Sequence, residues 1–221
     1  MPSKVNKRKS ESKDSSESSS KKAVEVESAS DKPEFSHWLM KSEPETRMEK
    51  GVDMKFGIDD LIDCPDSTSC WDGVRNYSAR NHMMAMKVGQ QAFFYHSNTK
   101  PPGIIGLVDI VKESYVDHTQ FDSKDPHYDP KSQKVNVFDK CTEFICILPK
   151  DNPKWFMVDV KYVRKTKRYI PLDELKKIHL EHKKTGGALA NLSLFTKARL
   201  SVMPISKEEW DFILGLETTE A

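Results

Sequence analysis

The sequence has almost no net charge. Lys and Arg number 35 against 34 Asp and Glu, a formal +1 at pH 7. A protein that coats a duplex carries a clear basic excess, so any nucleic-acid contact here is expected to be local. No two of the four cysteines, Cys64, Cys70, Cys141 and Cys146, stand two residues apart. That spacing excludes a zinc knuckle or a dithiol redox motif, and the four read as reduced thiols of a nuclear or cytosolic protein. No apolar run is long enough to cross a bilayer, and no signal-peptide pattern opens the chain; the reading is of a soluble, intracellular protein with no membrane partner.

Catalytic and cofactor signatures are equally scarce. Gly186-Gly187 lacks the residues of a phosphate-cradling loop, so no cofactor is expected. His118, His127 and Asp129 fit no standard metal-ligand spacing. Ser42 or Ser97, His96 and Asp72 make a triad only on paper. No nucleophile elbow is present, and the adjacent His96 and Ser97 fall on opposite faces of a strand. The chain is not expected to be an enzyme.

What the sequence does have begins with a low-complexity leader. Residues 1–34 are Ser, Lys, Glu and Asp with little to bury, a composition that predicts disorder. Lys4, Lys7, Arg8 and Lys9, followed by Lys21 and Lys22, have the spacing of a two-part nuclear import signal. The alternative is a solvated charged tail. Serines among acids make the leader a phosphorylation candidate.

From residue 35 the pattern becomes globular. The sequence predicts strands over His37–Ser42, Gln91–Ser97, Gly103–Val111, Trp155–Thr166 and Arg199–Val202, with a short one within Tyr115–Phe121. It predicts helices over Asp59–Ile62 and Tyr77–Lys87, one starting with Pro171 at its first position, and a last one behind a Ser206–Glu209 capping box that buries Trp210, Ile213 and Leu214. Gln91–Ser97 is apolar on both faces and therefore central. Short strands and helices in irregular alternation point to an α+β domain around a curved sheet or small barrel.

The organising stretch is Trp71 to Asn81. Asp72-Gly73 is a turn dipeptide, Asn76 a helix N-cap, and Ala79, Met83 and Met86 share one helical face. Its helix N-terminus lies beside Arg75, Trp71 and Tyr77, a grouping suited to a splayed-out base and its phosphate. The competing reading is a capped amphipathic helix with core aromatics. Trp38 with Lys41, Ser42, Glu43 and Pro44, and Tyr95-His96-Ser97-Asn98, are the other polar clusters at strand ends. A buried run of hydrogen-bonding groups is costly unless paired.

These segments, with Pro102-Gly103-Ile104-Ile105-Gly106 and Met157-Val158-Asp159-Val160, resemble the signature of the EVE domain across about residues 36–216. The resemblance implies a PUA-like fold, a small mixed β-barrel flanked by helices. It implies recognition of modified nucleobases, 5-methyl- or 5-hydroxymethylcytosine in DNA rather than RNA, by a monomeric nuclear protein. It also implies a base pocket drawn from Trp38, Lys41, Ser42, Trp71, Arg75, Asn76, Tyr77, Tyr95, His96, Ser97 and Asn98. On this reading Trp and Tyr faces stack on the base, polar groups read its edge and Arg75 holds a phosphate. Trp71 and Arg75 are then binding residues that the fold does not need. The alternatives are a protein-interaction adaptor and a base-processing enzyme.

One stretch departs from the family pattern. Between Tyr128-Asp129-Pro130 and Pro153-Lys154-Trp155 the chain carries extra apolar material at about 134–149, including Phe138, Phe144 and Leu148. An apolar insert in a surface loop is unexpected and is read as lying outside the core. Deleting 134–149 is expected to leave the melting temperature nearly unchanged; a collapse in the yield of folded protein would refute that placement.

Overall fold

The computed structural model describes residues 35–132 and 153–218. The leader with its basic cluster, the 134–149 insert, Cys141 and Cys146 lie outside the described residues. The described residues form eight strands and five α-helices in the order β1 (His37–Ser42), β2 (Met48–Glu49), β3 (Val52–Asp53), α1 (Ile58–Asp63), β4 (Thr68–Trp71), α2 (Tyr77–Ala85), β5 (Gln91–His96), β6 (Gly103–Val116), β7 (Phe156–Pro171), α3 (Leu172–Thr185), α4 (Ser193–Thr196), β8 (Val202–Ile205) and α5 (Lys207–Gly215).

Six of these strands form one mixed sheet in the order β4-β7-β6-β5-β1-β8, and β2-β3 is a separate two-residue ladder. This is the α+β architecture that the sequence predicts. β1 and β5 run parallel, with Trp38 opposite Ala92 and Met40 opposite Phe94. A parallel pair needs a crossover, and α1, β4 and α2 supply it. Trp38, Leu39, Met40, Phe93 and Phe94 are fully buried, so the apolar run in the centre of the sheet is covered on both faces. The long β6–β7 ladder breaks register at four places. Such bulges bend and twist a strand pair, and here they let two long strands curve over the core.

Several elements differ from the sequence expectation. β4 carries Thr, Ser, Cys and Trp without alternation, so no periodicity announces it. The strand expected at Arg199–Val202 lies at Val202–Ile205, pairing with β1 through Pro204 opposite Trp38. Proline is tolerated there because β8 is an edge strand. β6 runs on to Val116, after which His118–Phe121 is a 3₁₀ turn rather than a strand. Pro171 is the N-cap of α3, not its first helical residue. α2 ends at Ala85, and Leu214 is half-buried. The capping box at Ser206 and Glu209 forms as expected.

Gln120 ties together described residues that flank 133–152 in the chain. Its backbone carbonyl accepts from Asp129 N at 3.1 Å, and its Oε1 accepts from Lys154 N at 3.0 Å. Trp155 Nε1 donates to Asp129 Oδ2 at 2.8 Å. Residues 129 and 154–155 are thereby held close together.

Close backbone approach fixes one glycine. A Cβ at Gly103 would lie 2.4 Å from the Ile170 carbonyl oxygen and 2.9 Å from Pro171 Cα, both backbone atoms of the paired strand. Gly103→Ala is expected to destabilise the domain by about 1–3 kcal/mol in chemical denaturation. Gly215→Ala, with nothing within 4 Å of the added atom, is the control and is expected to cost nothing.

Candidate functional site

A cavity of about 510 Å³ opens beside the end of β1, within the size range of small-molecule sites. Lys41, Ser42 and Glu43 come from β1 and the residue after it. Phe56 comes from the segment before α1, Trp71 from the end of β4, and Asp72 to Arg75 from the turn that follows. The β2–β3 hairpin and residues 125–127 complete the wall. Lys50 Nζ donates to the carbonyl oxygens of Asp125 and Pro126 at 3.3 and 3.4 Å, joining the hairpin to that loop.

The apolar part is aromatic. Trp71 meets Phe94 edge-on at 5.5 Å and Phe56 edge-on at 6.1 Å. Trp71 is 7% exposed, so it belongs to the core and presents only a margin to the cavity. The polar part is held from behind. The Ser42 hydroxyl donates to the Phe56 carbonyl. Ser97 donates twice to the Ser42 carbonyl, from N at 2.7 Å and from Oγ at 2.9 Å. His96 Nε2 accepts from Ile58 N at 3.1 Å, holding the start of α1 and with it Phe56. Burial lowers the His96 pKa, which keeps the ring neutral and able to accept.

The Trp71 turn is anchored by a buried ion pair. Arg75 Nη1 donates to Asp117 Oδ2 at 2.7 Å, Nε to the His127 carbonyl at 2.6 Å and Nη2 to Thr119 Oγ1 at 2.8 Å. Asp117 has no exposed surface. It also accepts from Gly73 N at 3.1 Å, and its other oxygen accepts from Thr119 N and Oγ1. Gly73 has φ +71°, and a Cβ there would lie 2.6 Å from the His127 ring. The tight Asp72-Gly73 turn is thus the one conformation that lets the loop of residues 125–127 close against it.

Of the residues singled out from the sequence, Lys41, Ser42, Trp71 and Arg75 line this cavity together. Trp38 does not; it is buried, with its Nε1 donating to Gln90 Oε1 at 2.8 Å. Asn76 caps α2, accepting from Ser78 N and Ala79 N, which satisfies donors that an anion would use. Tyr77 lies outside the lining, stacked on Trp155 at 4.8 Å with the Arg80 guanidinium on its ring. Tyr95 is buried, and Lys41 Nζ sits 5.9 Å from its ring centroid. His96 and Ser97 stand behind the wall, and Asn98 occupies a positive-φ turn position. The Arg75 guanidinium is committed to protein partners, so a phosphate-holding role for it has no counterpart in this geometry. Trp71 packs in the core and Arg75 bonds three separate partners, placements that the sequence reading of both as ligand-contacting residues does not include. His96 and Ser97 each have separate partners and make no relay.

Sequence reasoning missed Phe56, Asp72 as a lining group and Asp117. The Asp117-x-Thr119 pattern carried a signal, since Asp commonly accepts from the backbone two residues on. Asp72 lines the cavity with its carboxyl half-buried. Burial and the Asp117 carboxylate push its pKa above the usual value. The neighbouring Cys70 thiol is pushed up to about 11, by burial first and then by Asp72 and Asp159, so it is an unreactive thiol. Cys64 and Cys70 are both free. Among the described residues no three His, Cys, Asp or Glu side chains gather as metal ligands, and no helix is long and apolar enough to cross a membrane.

The EVE domain model matches residues 36–216. Thymocyte nuclear protein 1 of Danio rerio is 61% identical over 189 residues, covering 86% of this chain and 75% of that protein. Its Homo sapiens counterpart is 59% identical over 185 residues, covering 84% and 75%. A crystal structure of human THYN1 protein in complex with 5-methylcytosine-containing DNA superposes with a TM-score of 0.75. It is 58% identical, with 84% of this chain and 99% of that chain covered.

The Asp117–Arg75 pair has a measurable pH signature. Burial alone would raise the Asp117 pKa, but hydrogen bonds from Thr119 and Arg75 outweigh it and hold the value below 3.8. Its stabilisation is therefore complete above the ordinary 3.8 and is lost as pH falls toward the lowered folded value. Asp117→Asn is expected to cost about 3 kcal/mol near neutral pH, the scale for breaking a buried pair. The variant's stability should then fall less steeply than wild type in acid, as followed by denaturant titration.

Proposed function

The chain belongs to the EVE domain family, and on that premise we propose that it is a nuclear reader of modified cytosine in DNA that holds one everted base in the cavity beside β1. The observation that carries this reading is the cavity itself: an aromatic margin and fixed hydrogen-bonding walls within one space of about 510 Å³. The DNA and its modification are inferred from the human relative crystallised with 5-methylcytosine-containing DNA. The nuclear placement follows the name of the vertebrate relatives.

Phe56 and Trp71 offer the base its apolar contact, a kind of interaction that contributes about 1–3 kcal/mol per stacked base. Met54, Phe56 and Val74 give a 5-methyl group an apolar neighbour, and the Ser69 hydroxyl gives a 5-hydroxymethyl group a polar one. The harder problem is thymine, which carries the same methyl. Cytosine differs from it by presenting an N4 amino donor where thymine presents an O4 acceptor. A reader of methylated cytosine therefore needs an acceptor at that edge. The Asp72 carboxylate, half-buried in the wall, is suited to accept from N4. Facing it with O4 sets two acceptors against each other with no proton between them, which is the stronger source of rejection.

Asp72→Asn is expected to cut the preference for a 5-methylcytosine oligonucleotide over its thymine counterpart at least about tenfold, since a charged hydrogen bond contributes about 1.5–3 kcal/mol. The pH profile separates this role from a structural one. Wild-type binding is expected to weaken as pH falls through the raised pKa of Asp72, when the acceptor is protonated, while the variant does not follow. Unchanged base preference in fluorescence-anisotropy titrations would exclude Asp72 as the reading group.

A further inference from the structure

A second cavity, of about 580 Å³, lies against α2. Ser78, Asn81 and His82 line one side and residues 196–200 the other. Leu200 is buried at 7% exposure, while Lys197 and Arg199 are exposed. No carboxylate lines it. Neither Lys197 nor Arg199 has an ion-pair partner among the described residues. Burial and the Lys197 charge lower the His82 pKa, leaving a neutral ring at the wall.

This space adjoins the first. Leu200 lines the second cavity and Ser201, the next residue, lines the first. Lys41 lines the first, and its Nζ donates at 3.0 Å to the carbonyl oxygen of Ala198, which lines the second. Residues 198–201 are thus a shared partition. The first cavity mixes acids with bases, as suits an edge that reads hydrogen bonds; the second has cations alone. This partition is a short path for the next phosphate of a strand with one base in the first cavity, and phosphate contacts of that kind position a strand without reading it.

We propose that the second cavity is the subsite for the nucleotide flanking the held base, its phosphate taken by Lys197 and Arg199. This rests on the reading of the first cavity as the base site. Adjacency to that site, with two cations and no carboxylate in the lining, favours a nucleic-acid strand over an acidic peptide.

The test uses the full chain with Lys197→Gln and Arg199→Gln together, both at exposed positions, and anisotropy titrations of methylated and unmethylated DNA oligonucleotides across a salt series. Kd is expected to rise about tenfold for both oligonucleotides, and the slope of log K against log salt to lessen by about 2, one per lost phosphate contact. The preference for the methylated oligonucleotide should survive, and Arg199→Lys, which keeps the charge, should retain the wild-type slope. Unchanged Kd and slope in a variant with the wild-type melting temperature would overturn the proposal. So would DNA binding that is unchanged while a Glu-rich peptide binds wild type and not the variant. A loss of methyl preference at constant slope would also overturn it, because the effect would then lie in the first cavity. A wild-type protein with no methyl preference at all would sink the base-site reading instead, and is told apart by needing no variant.

Discussion

The buried pair between Arg75 and Asp117 is the constraint on which the site depends. Asp117 lies just beyond the end of β6, and Arg75 lies between β4 and α2. Their 2.7 Å contact draws two loops that are distant in sequence onto one wall. A carboxylate without exposed surface is tolerable only with its oxygens fully used. Here Gly73, Thr119 and Arg75 use them. The same guanidinium reaches the His127 carbonyl, so one ionic contact sets the turn, the 3₁₀ segment and the loop of residues 125–127 together. An arginine placed so is structural cement for a cavity rather than a hand extended into it.

The same economy recurs in the other wall. Ser97 and His96 end a central strand, where unpaired polar groups would be costly. Both are consumed in positioning: Ser97 holds the Ser42 carbonyl and His96 holds the N-terminus of α1. The groups left to meet a ligand, Lys41, Asp72 and the margins of Phe56 and Trp71, are therefore carried on a backbone already committed elsewhere. That is the condition for a pocket that discriminates by hydrogen bonding, because a wall that yields can re-pair with the wrong partner. Burial lowers the Lys41 pKa and raises that of Asp72, so the cavity shifts both signs of charge toward neutrality.

The near-zero net charge finds its counterpart in the distribution of charge. The cavity beside β1 is mixed in sign, and Lys197 and Arg199, without ion-pair partners among the described residues, lie on the neighbouring strip. Local rather than global electrostatics thus governs any contact with a polyanion. The insert is a separate matter. Asp129, Gln120, Lys154 and Trp155, on either side of it in the chain, are bonded to one another.

The sequence by itself determined the α+β class, the existence of a central strand from Gln91, the Asn76 cap and the Ser206 capping box. Each of these is written in local periodicity or in side chains that bond within a few residues. Only the tertiary structure decided that β4 is a strand, because its four residues owe their form to pairing with β7 and not to any pattern of their own. It moved β8 to Val202–Ile205, since edge position rather than propensity decides whether Pro204 can join a sheet. It also sorted the polar residues into those that line and those that support. Arg75 and Asp72 are three residues apart in the chain, yet one is locked inward by a carboxylate 42 residues away and the other faces the open space. Such an assignment depends on long-range partners, which no local pattern records.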